Sequence, residues 1–259
     1  MLFRSEEATV IRTASGADLP IPTVNDTSNK GAILAENTQV SDQDVTFGQL
    51  VLEAYKYSSK QVKVSVELMQ DSAVDMAAFL GQALGERLGR ILNEHFTTGT
   101  GSSQPNGIIT AGADSGVTTA SNTAVTRAEL LSTMMSVDAA YRENGKWLIS
   151  DTILQYVLAL TDDTNQPLWL PGMNGPIGDT ILGKPYVVNN DLATGASAKA
   201  FGFGDLSKYL IREVTDIQFL QLNERYADYH QVGFLAFLRA DGDLLNAGTN
   251  PVKYATLAS

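Results

Sequence analysis

The stretch Lys60-Gln-Val-Lys-Val-Ser-Val-Glu-Leu-Met69, carried on from Ser72 to Gly101, decides the fold, because its apolar period changes without a break. Val62, Val64, Val66 and Leu68 alternate with Lys63, Ser65 and Glu67, the period of a half-buried strand. From Ser72 onward the apolar positions are Met76, Phe79, Leu80, Ala83, Leu84, Leu88, Ile91, Leu92 and Phe96. That is helical spacing, with Asp75, Gln82, Glu86, Arg87 and Arg90 left for water. Ser72 with Asp75 reads as a capping box and the Thr-Gly-Thr-Gly run ending at Gly101 as a stop, which predicts a helix over 72–98. About 25 residues at roughly 1.5 Å each make a rod on the order of 38 Å long. The rest of the chain is expected to hang on it.

A second stripe runs along the same helix. Ala73, Ala77, Gly81, Gly85 and Gly89 fall four apart. Each interior glycine costs about 1 kcal/mol relative to alanine, so three in register predict a second backbone close by. A strand of the same domain is the favoured neighbour and another subunit the alternative. Membrane-helix packing is rejected, because Glu86, Arg87 and Arg90 interrupt the apolar run.

The 259 residues carry 18 basic against 29 acidic side chains, a net charge of −11. No basic run exists to grip phosphates. A hydrophobic content of 44% with 18% charged residues is that of a folded globular chain. With no cysteine, disulfides, thiolate metal sites and cysteine nucleophiles are excluded. No signal peptide and no 18-residue apolar span is present, so a soluble chain made in a cytoplasm is expected, with no membrane.

Along the chain, Ala8–Ile11 and the proline-bearing Leu19–Val24 suit an edge or an extended arm. Residues 31–62 read as a long two-stranded loop with little to bury, which needs something to lie on. After the long helix, Thr126 with Glu129 caps a second one burying Leu130, Leu131, Met134, Val137 and Tyr141. Trp147–Ser150 reads as a strand, Asp151–Leu160 as a helix, and 161–179, with Trp169, as a long loop. Strands are expected at 186–188, 200–203, 209–212, 219–222, 232–238 and 253–257, with Asp241-Gly242 as a hairpin turn. Strands and helices mix without a βαβ rhythm, so the class is α+β.

No active site is legible. Gly101–Gly107 has glycines at a phosphate-loop-like distance, but Ile108 and Ile109 stand where lysine and a hydroxyl residue are needed. Gly202-Phe-Gly204 lacks the third glycine of a dinucleotide fingerprint. His95 and His230 have no second histidine at ligand spacing and read as structural. Asp162, Asp163 and Asn165, and Asp241 with Asp243, read as turn residues because neither set has calcium-loop spacing. No catalytic residue, metal or cofactor is therefore expected.

Four segments together carry a family resemblance. They are Asp44–Phe47 running on through Tyr55-Lys-Tyr57 to Ser72; the helix ending in Gly99-Thr-Gly-Ser-Ser-Gln-Pro-Asn-Gly107; Trp147–Ser150 with Leu182–Val188; and Phe203–Tyr209. In that order they resemble the tailed-bacteriophage major capsid proteins of the Hong Kong 97-type fold. The resemblance implies an N-terminal arm over 1–30, an extended loop over 31–62 lying on an adjacent subunit, and a peripheral domain of 63–138 with 227–259 around the spine helix. It also implies an axial domain over 139–226. Subunit contacts are expected at Glu36, Val40, Phe47, Tyr55, Gly81, Gly85, Gly89 and Trp169. The implied function is a non-enzymatic shell subunit assembling as hexamers and pentamers around double-stranded DNA, with scaffolding and portal proteins as partners, in the host cytoplasm and then in the virion.

Family members of this type carry a longer arm behind a removable scaffolding segment, so any scaffold is expected to be separate, removed or outside the numbered chain. Some members weld subunits through a lysine, an asparagine and a glutamate. Those positions fall near Val40, Gln231 and Leu238 here, so a non-covalent shell is expected. An encapsulin-type compartment shell and an α+β enzyme with an unrecognised site are the alternatives.

Overall fold

The computed structural model describes residues 7–25, 31–34, 36–40, 42, 44–161 and 180–259. Strands β1 (Thr9–Thr13), β2 (Leu19–Asn25), β3 (Thr46–Leu52), β4 (Tyr55–Ser58) and β5 (Val62–Ser65) lead into helices α1 (Val66–Asp71), α2 (Met76–Thr98) and α3 (Ile108–Ala111). Then come β6 (Ala113–Thr118), α4 (Arg127–Ser136), α5 (Ala139–Arg142), β7 (Lys146–Ile149) and α6 (Asp151–Leu158). The chain ends with β8 (Thr180–Ile181), β9 (Lys184–Val188), β10 (Lys199–Gly204), β11 (Tyr209–Leu222), β12 (Gln231–Leu244) and β13 (Val252–Thr256).

The change of period is real but comes earlier than expected. The strand stops at Ser65, whose hydroxyl caps α1 by accepting from Leu68 N. Ser72 closes α1 instead of opening the long helix. Asp75 is the cap of α2, its carboxylate accepting from the amides of Ala77 at 3.0 Å and Ala78 at 3.1 Å. A carboxylate there also meets the positive end of the helix dipole. Leu80, Leu84, Leu88, Leu92 and Phe96 form the buried stripe, while Phe79 stays exposed.

Two compact units form. The first takes the described parts of Met1–Asp18, Glu53–Ala111 and Tyr209–Asp243. Its sheet runs β1-β11-β12-β4, with β5 also on β12. β1 pairs in parallel with residues 210–214 of β11. The expected strands at 209–212 and 219–222 are one strand, in which Thr215 takes a left-handed conformation (φ 58°) where the buried run 209–214 gives way to exposed residues. Asp241-Gly242 is not a turn; both lie inside β12. Gly242 is there because a Cβ would stand 2.8 Å from the Tyr209 hydroxyl and 3.0 Å from the Phe96 ring.

The second unit takes the described parts of Leu19–Leu52, Gly112–Lys208 and Leu244–Ser259. A six-stranded sheet, β6-β13-β10-β7-β9-β8, packs Trp147, Phe201 and Phe203 with Leu130, Met134, Ile153 and Val157 of α4 and α6. The Trp147 indole N–H donates to Ile181 O at 3.0 Å, which lets the ring be wholly buried. The capping box at Thr126 and Glu129 is present, but α4 ends at Ser136 and Leu131 is exposed.

These units cut the chain differently from the expected 63–138 with 227–259 and 139–226. Residues 112–138 and 244–259 lie in the second unit, because β13 sits between β6 and β10. Residues 209–226 lie in the first, because β11 pairs with β1 and β12. The two-stranded ladder is β2 with β3, in register from Leu19↔Leu52 to Asn25↔Thr46, so half of it falls in the expected arm. β4, expected within the 31–62 loop, pairs with β12, as does β5.

The loop after α2 closes on itself. Gly99 N donates to His95 O at 2.9 Å, Gly101 N to Pro105 O at 3.2 Å and Gly107 N to Gly99 O at 2.9 Å. Asn106 then ties it to the sheet: its amide donates to Gly242 O at 2.9 Å, its side chain to Asp243 at 2.9 Å, and its carbonyl accepts from the Tyr209 hydroxyl at 2.8 Å. A Cβ on Gly107 would lie 2.5 Å from Gly99 N. Gly107→Ala is expected to destabilise the protein by about 1–3 kcal/mol, read by denaturant unfolding. An unchanged midpoint would refute the close packing of this loop.

Candidate assembly surface

The glycine loop has no anion cradle. The amides of Gly99, Gly101, Asn106 and Gly107, which a phosphate would need, already donate to carbonyls. His95 Nδ1 bonds the Tyr57 hydroxyl at 2.9 Å, and His230 Nδ1 meets Glu67 at 3.1 Å. Asp241 accepts from Gly242 N and from Glu53 N. Among the described residues no group of three metal-ligating side chains occurs. Asp162, Asp163 and Asn165 lie outside the described residues.

What the protomer does present is apolar surface. In the β2–β3 ladder the pairs Pro20↔Val51, Pro22↔Gln49 and Val24↔Phe47 share one face, and all six residues are exposed. Phe47 is 74% exposed and Val24 opposite it 41%. The other face, with Leu19, Ile21, Leu50 and Leu52, is half-buried to buried. Past the ladder, Ile33, Leu34 and Val40 are also exposed. In the first unit Leu68, Val74 and Phe79 add to this, as do Ile217, Phe219 and Leu220 on β11 beyond Val214, where its pairing with β1 ends. An exposed apolar face such as that of the ladder is a candidate contact site.

The expected contact residues separate into groups. Glu36, Val40 and Phe47 are exposed on or beyond the ladder. Trp169 lies outside the described residues. Tyr55 is half-buried in β4. Gly81 and Gly85 are half-buried and Gly89 is buried. A Cβ on Gly81 would touch only the Phe219 ring at 3.9 Å, and one on Gly85 would meet nothing within 4 Å. The favoured explanation of the stripe, a strand of the same domain pressed against it, therefore fails at Gly85. Pro20, Pro22, Val24 and Val51, which share the exposed face with Phe47, are not among the expected residues. Their alternation with Leu19, Ile21 and Thr23 is a signal in the sequence that two prolines obscure.

Comparison with known proteins follows the same direction. The phage capsid family model matches residues 6–256. The chain belongs to the phage capsid family. Comparison with curated proteins found no match. Among solved structures, the capsid of a native GTA particle is similar at a TM-score of 0.84 and 19% identity, covering 97% of this chain and 88% of that one. The Mycobacterium phage Adephagia structure has a TM-score of 0.75 at 15% identity, covering 100% and 90%. That of Microbacterium phage Oxtober96 has 0.74 at 17%, covering 96% and 89%. The phage capsid fold is thus shared at low identity. Among the described residues of this capsid protein, no helix is long and apolar enough to cross a membrane.

Burial around the sheet of the first unit also shifts its acids. Burial raises the Tyr55 phenol to about 12, and Glu53 beside it pushes the same way. Burial likewise lifts Tyr57 and Tyr209, with Asp241 adding to both. A phenol whose pKa is higher folded than unfolded adds stability that is complete below the unfolded value of 10.0 and is lost as pH rises towards the folded one. Three of the nine tyrosines are therefore expected to ionise only as the protein unfolds in alkali, read by phenolate absorbance. All nine titrating together near 10 in the folded protein would contradict this.

Proposed function

We propose that this capsid protein is the major shell subunit of a tailed bacteriophage, assembling as hexamers and pentamers into an icosahedral head around double-stranded DNA. The observation that carries it is the exposed apolar face of the β2–β3 ladder, on a chain that belongs to the phage capsid family. A ribbon of two strands is marginal in water, so a face bearing Val24, Phe47 and Val51 is set to be covered by a neighbouring copy. Catalysis has no part in this reading. The net charge of −11 keeps such a container from adhering to its nucleic acid. Scaffolding and portal proteins would act as partners during assembly in the host cytoplasm, and the shell would be held without covalent links.

The test is light scattering and negative-stain microscopy of the purified protein, with nuclease digestion of whatever it encloses. Closed shells, or rings of five and six, support the proposal; protein cargo would point to a compartment shell. A monomer that stays monomeric with its scaffold added would overturn it.

Gly85→Leu separates folding from assembly. With nothing within 4 Å of a Cβ at that position, the protomer is expected to tolerate it and to gain up to about 1 kcal/mol from losing a mid-helix glycine. If a neighbour seats on the stripe, particle yield falls while the melting temperature does not. Normal particles would remove Gly85 from the contact set.

A further inference from the structure

We infer that Arg212 and Asp241 form a latch that holds together the two chain segments, 13–17 and Glu53, that flank the β2–β3 ladder in sequence. Arg212 lies on β11 and is 1% exposed. Its Nε donates to the Thr13 hydroxyl at 3.1 Å, one terminal nitrogen to Glu53 O at 3.2 Å, and the other to Ser15 O at 2.8 Å and Ala17 O at 2.6 Å. Asp241 on β12 takes the remaining backbone group of Glu53, accepting its N–H at 2.6 Å. Ala17 lies just before the ladder opens at Leu19, and Glu53 directly follows its last residue, Leu52. One guanidinium thus reaches both the outgoing and the returning strand, and Glu53 is held at both its amide and its carbonyl.

The chemistry suits the task. Arginine offers five donors in a rigid planar fork and stays charged when buried; a lysine ammonium concentrates its donors at one atom and cannot reach acceptors on two sides. Charge-assisted bonds to carbonyls are about twice as strong as neutral ones. The ladder between these two points has an apolar face to offer, and the latch holds the chain where it enters and where it leaves that ladder; its part in assembly rests on the shell reading above.

The test compares the full chain with Arg212→Lys and with the milder Thr13→Val, reading thermal unfolding, hydrogen exchange by residue and the yield of sedimenting particles. For Arg212→Lys the expected result is a cooperative melt, exchange faster by about tenfold or more confined to residues 14–18 and 53–54, and a fall in particle yield of similar size; tenfold is what one bond to a charged group is worth. Exchange that rises evenly along β11 and β12 would reduce Arg212 to a structural role. Wild-type particle yield with loosened ends would overturn the latch. If Arg212→Lys does not fold, Thr13→Val decides: loosening confined to 14–18 with fewer particles supports the latch, and an unchanged yield refutes it. The unsubstituted chain reports on the shell reading by itself, since its failure to form particles counts against that reading alone.

Discussion

A two-stranded ribbon has no third strand to share its hydrogen bonds, and alone it is marginal in water. The β2–β3 ladder is such a ribbon, and most of what is unusual in this chain answers to that constraint. One face holds Leu19, Ile21, Leu50 and Leu52 and is largely withdrawn from water; the other holds Val24, Phe47 and Val51 in the open. Pro20 and Pro22 remove donors from β2, which blunts an edge that could otherwise recruit any passing strand. Where the chain enters and leaves this ladder, a buried guanidinium, costly to desolvate, is met by the carbonyls of Ser15, Ala17 and Glu53.

The first unit is organised around a different economy of space. α2 lays Leu80, Leu84, Leu88, Leu92 and Phe96 along one line, and Phe96 meets the edge of the Tyr209 ring at a centroid distance of 6.2 Å. Tyr209 in turn reaches Asn106, and Asn106 closes the glycine loop on β12. The phrase Gly99–Gly107, which resembles a family signature, thus has a mechanical reason: a Cβ on Gly107 has nowhere to go, and Asn106 uses its amide, its carbonyl and its side chain.

Local periodicity made much of this legible. The helix under Leu80–Phe96, the capping box at Thr126, the strand at Trp147 and the α+β class all follow from nearest neighbours in sequence. What stayed hidden depends on partners far along the chain. Ser72 and Asp75 both offer a cap three residues ahead of a helix-compatible run, and only the short helix over 66–71 shows that Ser72 is already spent as a terminus. Asp241-Gly242 has turn chemistry, yet packing against Tyr209 and Phe96 puts it mid-strand. The unit boundaries could not be read because β13 inserts between β6 and β10, and β1 joins β11, pairings that no local pattern encodes. Which side chains stand exposed on the ladder also depends on its register, which pairs Val24 with Phe47 across more than twenty residues of sequence.

The pairing of Thr9–Thr13 with residues 210–214 also sets a clock. A strand made among the first residues waits for a partner some two hundred residues later, which at ~5–20 residues per second is ~10–40 s of synthesis. β12, which joins β4, β5 and β11, comes later still, and β13 joins the other sheet later again. Each sheet can therefore close only after its latest strand, β12 or β13, has been made. Folding with such distant contacts is slow, and synthesis itself sets the earliest time at which each sheet can close.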